Sequence, residues 1–202
     1  MTLDNVVVTD NTASQGGGLR SNSTVTVTNS TFSNNETTSL DGGGISSSSS
    51  GSFINVTVSG NESVRSGGGI QVTGGLNTFE NVTVSGNTAV VEGGGVILNS
   101  GTITFDSATA TENTAGSGAG LESNAGSFTV TDSIIAGNNG GDVTGNFTSG
   151  GNNIIGNDPG DGSDRNGFSA ANGDLLDETG LSLGGLAAVS YTHLTLPTIY
   201  SV

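Results

Sequence analysis

No cysteine occurs anywhere in this chain, so neither a disulfide framework nor a thiolate metal site can hold it together. Lysine and tryptophan are missing as well, and there are only two tyrosines, two prolines and one histidine. The cations are Arg20, Arg65 and Arg165, set against 18 acidic residues, for a formal net charge of -15. Such a surface repels a phosphate backbone and an anionic membrane, which argues against nucleic acid and membrane partners. Hydrophobic residues make up 31% of the 202 positions, too few for a broad globular core. No apolar run reaches the length of a membrane span, so no direct membrane insertion is expected of this segment. The opening MTLDNVVVTDN lacks the basic and apolar regions of a signal peptide, which places any export signal or anchor outside this fragment.

What remains is glycine, serine, threonine and asparagine, a composition that would suit a disordered chain were it not ordered into a repeat. Glycine clusters fall at 16 to 18, 42 to 44, 67 to 69 and 93 to 95, with Gly118, Ala119 and Gly120 closing the series; their starts are 26, 25, 26 and 25 residues apart. An aliphatic residue follows each cluster: Leu19, Ile45, Ile70, Val96 and Leu121. A second apolar series, Val8, Phe32, Val58, Val84, Ala110, Ile135 and Ile154, precedes by three residues the asparagines Asn11, Asn35, Asn61, Asn87, Asn113, Asn138 and Asn157. These asparagines are spaced 24, 26, 26, 26, 25 and 19 apart, so only the last unit departs seriously.

Around these anchors hydrophobicity alternates with period two, as in Ile54, Val56 and Val58, which predicts strands too short to be helices. About three short strands per unit, wound once per repeat and paired with their equivalents at about 4.8 Å, make a parallel β-helix. Leucine-rich repeats need more leucine, propeller blades need roughly 40 or more residues, and a left-handed helix would show a six-residue aliphatic period. The expected fold is therefore all-β: a single-stranded right-handed parallel β-helix, or solenoid, with coils of about 25 to 26 residues.

The two aliphatic series are the expected core, each fully buried large side chain contributing roughly 1.5 to 3 kcal/mol. Gly42, Gly43 and Gly44, Gly67, Gly68 and Gly69, and Gly93, Gly94 and Gly95 are expected at bends that need positive φ or close approach of neighbouring turns. The repeated asparagines are expected to form turns and, stacked, to bond to one another. A second polar column, Asn29, Asn55, Asn81, Ser107 and Asp132, lies six residues before the first and reads as turn satisfaction, with ligand binding as the alternative. Ser46 to Ser50 and Asn77 to Glu80 are candidates for exposed variation. The sequons at Asn22, Asn29, Asn35, Asn55, Asn61, Asn81 and Asn146 arise easily in a chain this rich in asparagine and threonine.

The repeat is expected over residues 1–157. The stretch 158–188 reads as a late-coil insertion or the start of an anchor-associated region, and Asp158, Asp161 and Asp164 are weak calcium candidates within it, lacking a twelve-residue calcium-loop frame. Residues 189–202 continue no repeat: VSYTHLTLPT resembles a translated transposase sequencing adapter, which implies a non-native tail. His193, alone and inside that tail, is no candidate catalyst.

TFSNNETTSLDGGGI, residues 31 to 45, resembles the repeats of bacterial polymorphic outer-membrane proteins, through Phe32 with Asn35 and Gly42 to Ile45. Residues 150 to 180 are similar to the closing part of choice-of-anchor β-helix proteins. These resemblances imply a secreted or surface-attached bacterial protein and supply no catalytic residues. The expected function is a non-enzymatic, adhesin-like scaffold at the cell surface or outside the cell, binding glycan or host or cell-surface protein, with no cofactor. The first rival is a polysaccharide hydrolase or lyase, for which Asp106 and Asp132, in neighbouring coils, are the carboxylates to inspect. The second is a calcium-stabilised structural repeat.

Overall fold

The computed structural model describes residues 1–156 and 167–178. Within them the chain winds as an all-β, right-handed parallel β-helix of about six turns. A 13-stranded sheet, a six-stranded sheet and a four-stranded sheet run along the axis. The six-stranded sheet stacks Leu19–Ser21, Ile45–Ser47, Ile70–Val72, Val96–Leu98, Leu121–Ser123 and Val143–Gly145; the four-stranded sheet stacks Thr12–Ala13, Glu36–Thr37, Glu62–Ser63 and Thr88–Ala89. Each rung of the long sheet has two extended limbs joined at a bend. Val25–Ser33 and Gly51–Ser59 run through that bend as single strands, whereas later coils split there, as in Leu76–Glu80 and Thr83–Ser85.

Equivalent residues stand over one another. Val8, Phe32, Val58, Val84, Ala110 and Ile135 are successive parallel partners, and so are Leu19, Ile45, Ile70, Val96, Leu121 and Val143. From Phe32 to Ile135 and from Ile45 to Val143 these side chains are completely buried, while Val8 in the first coil is half-buried. In the short coil the register shifts by one: Ile135 pairs with Ile155, which is fully buried, and the expected core residue Ile154 pairs with Ile134 on the outer side. Counting back three residues from Asn157 misplaced the core there because the coil has lost residues in more than one segment. The winding also continues past residue 157, since 175–178 pair in parallel with 154–156.

Six of the seven phenylalanines form an internal column on the first limb. Phe53 and Phe79 stack at 4.7 Å with planes 9° apart, and the contacts continue through Phe105, Phe128 and Phe147 to Phe168 at centroid separations of 6.3, 6.4, 5.1 and 5.4 Å. Such pairs contribute about 0.5 to 1.5 kcal/mol each beyond their buried area.

The repeated asparagines do not make the turn themselves. The residue before each one takes the left-handed conformation: Asp10, Asn34, Gly60, Gly86, Glu112 and Gly137, with φ between 54° and 73°. From the second coil on, this reversal points the following asparagine inward. Asn35, Asn61, Asn87 and Asn113 are buried, and each donates both its backbone N–H and its Nδ2 to the Oδ1 of the next, at 2.9 to 3.0 Å, while Nδ2 also reaches a backbone carbonyl of the preceding rung. Asn11 enters this ladder at one end. The chain takes eight steps from Asn113 to Leu121 but five from Asn138 to Val143, and there the ladder stops at Asp142, whose Oδ1 accepts from Asn138 N and Nδ2. Asn157 lies outside the described residues. At the other bend Asn153 similarly donates N and Nδ2 to buried Asp174 Oδ1. A carboxylate terminates such a ladder because it accepts without presenting an amide donor to the next rung.

The glycine clusters divide their work. Gly42 has φ 77°, whereas a Cβ on Gly43 would collide with the carbonyls of Gly68 and Glu62 in the next coil, and one on Gly44 would lie 2.7 Å from Gly69 O. Gly67 to Gly69 and Gly93 to Gly95 repeat the pattern.

Candidate functional site: the outer face of the coils

With the interior occupied by hydrocarbon, rings and amides, chemistry is left to the outward positions. Asp106 and Asp132 are not brought into register. Asp106 pairs with Thr131 and its Oδ1 accepts from Ser107 Oγ at 3.0 Å; Asp132 sits at the bend with φ 47°, its Oδ1 accepting from Asn152 Nδ2 at 2.9 Å. The register instead sets Glu80 beside Asp106, a pair visible only once residues 76 to 80 are laid on 102 to 106. Asp158, Asp161, Asp164 and His193 lie outside the described residues. Asp174 serves the second ladder. Among the described residues no group of three or more histidine or acidic side chains is placed to hold a metal ion.

The column Asn29, Asn55, Asn81, Ser107 and Asp132 is the outer bend of the long sheet, every member having φ between 47° and 56°. Its asparagines are exposed and form a solvent-facing amide ladder: Asn81 Nδ2 donates to Asn55 Oδ1 at 2.7 Å, Asn55 Nδ2 to Asn29 Oδ1 at 3.1 Å, and Asn29 Nδ2 to Asp4 Oδ1 at 3.0 Å. Hydrogen bonds from Thr28 and Asn29 hold the Asp4 carboxyl below its ordinary 3.8. Of the sequons, Asn35 and Asn61 have their amides sealed inside, whereas Asn22, Asn29, Asn55, Asn81 and Asn146 are exposed.

Two stretches expected to be exposed are so only in part. Ser46 and Ser47 are buried, as are Asn77 and Phe79, leaving Ser48, Thr78 and Glu80 as the exposed members. Ser46 belongs to a polar chain on the outside of the six-stranded sheet, in which Ser46 Oγ donates to Gln71 Oε1 and Gln71 Nε2 donates to Asp41 Oδ2 at 2.9 Å. Arg65 Nε lies 3.9 Å from Asp41 Oδ1, a pair too exposed to add much stability.

The most regular outward feature is a file of hydroxyls on the first limb of the long sheet. Thr2, Thr26, Ser52, Thr78, Thr104, Thr129 and Thr148 are successive parallel partners across seven rungs. No side-chain hydrogen bond engages any of these hydroxyls. The spacing of 24, 26, 26, 26, 25 and 19 is the same as that of the asparagines, so the file was legible in the sequence but hidden by the abundance of threonine.

No protein-family model, curated protein or solved structure matches this chain. The chemistry of the outer face therefore carries the functional argument.

Proposed function

We propose that this chain is part of a non-enzymatic, adhesin-like scaffold, secreted or displayed on a bacterial cell surface, which binds glycan or cell-surface protein through its long outer faces. The observation that carries this reading is the division of labour in the coil: inward positions are committed to packing and ladders, while an unbroken file of unpartnered hydroxyls runs outward along seven rungs. A rigid, repeated surface of this kind binds by many shallow contacts acting together. The resemblance of residues 31 to 45 to outer-membrane protein repeats supports the bacterial surface location, and the net charge of -15 argues against nucleic acid. A binding screen of the full chain against glycans and cell-surface proteins tests it: retention that is lost in Thr78→Arg/Thr104→Arg with the fold intact is the expected result, and no retention on any ligand contradicts it.

A hydrolase reading draws its support from Glu80 and Asp106. The two residues are in register on neighbouring parallel strands, whose backbones lie about 4.8 Å apart, so their carboxyl groups emerge side by side, as the paired carboxyl groups of a glycosidase must. Release of reducing sugar by the natural chain, abolished in Glu80→Gln and in Asp106→Asn, would favour this reading over the scaffold.

A further inference from the structure

We propose that the hydroxyl file orders water and binds ice, a neutral lattice of hydrogen-bonded oxygens; this goes beyond the scaffold reading by giving the outer face a ligand that is neither glycan nor protein. Rungs are about 4.8 Å apart, and two O–H···O bonds of about 2.75 Å meeting at one water span that distance at an angle of about 120°, close to tetrahedral. Each gap between successive hydroxyls therefore fits one bridging water with little distortion, and the remaining bonds of that water point away from the protein.

The fold also leaves hydroxyls for water to satisfy. Ser21, Thr37, Ser63 and Ser133, at bends and inside the coil, all donate to backbone carbonyls. The file does not. On the second limb Ser85 and Thr111, in-register partners, are 7% and 2% exposed, and neither hydroxyl has a protein partner. Buried hydroxyls without a protein partner are sites of ordered water.

Behind the file lie the buried rings of Phe53, Phe79 and Phe105, the first two stacked and the third tilted, so the hydroxyls and the methyls beside them are held in register before any ligand arrives. Preorganisation of this sort removes an ordering cost on binding. The file itself carries no charge; the column on one side of it holds Thr102 and Ser127 with exposed Leu76, and the column on the other side holds Asp4, Glu80 and Asp106. Every phenylalanine of the coil is buried, so this face offers no aromatic platform for sugar stacking, which favours ice over a polysaccharide.

The test is the partition of the labelled full chain into slowly growing polycrystalline ice. Natural chain and Val90→Tyr/Val91→Tyr, altered at exposed residues away from the file, are expected to enter ice equally, whereas Thr78→Tyr/Thr104→Tyr loses about tenfold. Circular dichroism and the thermal midpoint check that each variant is folded, and Thr104→Val, which keeps the shape and removes one hydroxyl, gives a smaller loss. Exclusion of the natural chain from ice, or equal partition of all variants, overturns the proposal. If the chain is excluded from ice but retained on an insoluble polysaccharide through Thr78 and Thr104, the ice proposal falls and the scaffold reading stands. Retention on neither, with hydrolysis of the polysaccharide, overturns both.

Discussion

Two columns of asparagine run the length of this coil six residues apart, and they differ in almost everything but residue type. Asn35, Asn61, Asn87 and Asn113 are buried, are not left-handed and bring the backbone N–H as well as the side-chain amide into their ladder, whereas Asn29, Asn55 and Asn81 are exposed, left-handed and linked through their side chains alone. Inside, asparagine is required because the backbone N–H and carbonyl groups of a tight bend need both an acceptor and a donor from one short side chain. Outside, it is favoured because it tolerates positive φ, and its place is taken without disruption by Ser107 and Asp132. Identical periodicity thus encodes two physical roles.

The largest way to break this comparison is to attack what separates the columns. Val84, midway between Asn81 and Asn87, is completely buried, and Val84→Asp is expected to cost more than about 4 kcal/mol, yielding insoluble or unfolded chain. Its outward neighbour Thr83→Asp should cost less than about 1 kcal/mol in the same urea titration.

Next comes the inner ladder itself. Asn87→Ala leaves Asn61 N–H without its acceptor, removes one of the two bonds at Asn61 Nδ2 and at Asn113 Oδ1, and takes the amide donor from Val58 O, an expected loss of about 2 to 4 kcal/mol. Where a ladder ends, Asp174→Asn sharpens the rule that the terminator must be an acceptor. With the Asn153 bond retained, the new amide faces Ser169 N–H, which now donates to Asp174 Oδ2, and about 1 to 3 kcal/mol is lost. On the outer column, Asn81→Ala should cost about 1 to 2 kcal/mol for the left-handed backbone alone, and Asn81→Gly close to nothing.

The smallest effect is electrostatic. Asp4 accepts from Thr28 and Asn29, and its carboxyl titrates below 3.8. A depressed folded-state value means that its stabilising contribution is present above the unfolded-state value and disappears as pH falls through the folded one. Titration followed by NMR should find Asp4 below ordinary aspartates, and Asp4→Asn should leave stability at neutral pH almost unchanged.

Much of this architecture was legible because a strict period survives translation into stacking: Phe32, Val58 and Val84 needed only their spacing to be placed over one another. Spacing alone did not distinguish inward from outward asparagine, since both columns share it; the left-handed residue before each buried asparagine is glycine in only three of six coils, and Asn34 hides the pattern beside Asn35. The phenylalanine column was missed because Phe105 pairs with Val130 while Phe128 lies two residues earlier, so ring contact persists where sequence alignment breaks. Ile154 failed for a related reason, a deletion shared between two segments of one coil. The outer hydroxyl file could have been found by the same counting that found the asparagines. The acidic pair could not, because Glu80 and Asp106 share no motif and meet only through register.

Hydrogen exchange of the asparagine side-chain amides, resolved residue by residue by NMR, tests the stacked coil most directly. Asn35, Asn61, Asn87 and Asn113 should exchange only through large-scale opening, with protection approaching that of the core strands, while Asn29, Asn55 and Asn81 exchange nearly as fast as free amides. Equal exchange at the two columns would contradict the winding that places one inside the coil and the other on its surface.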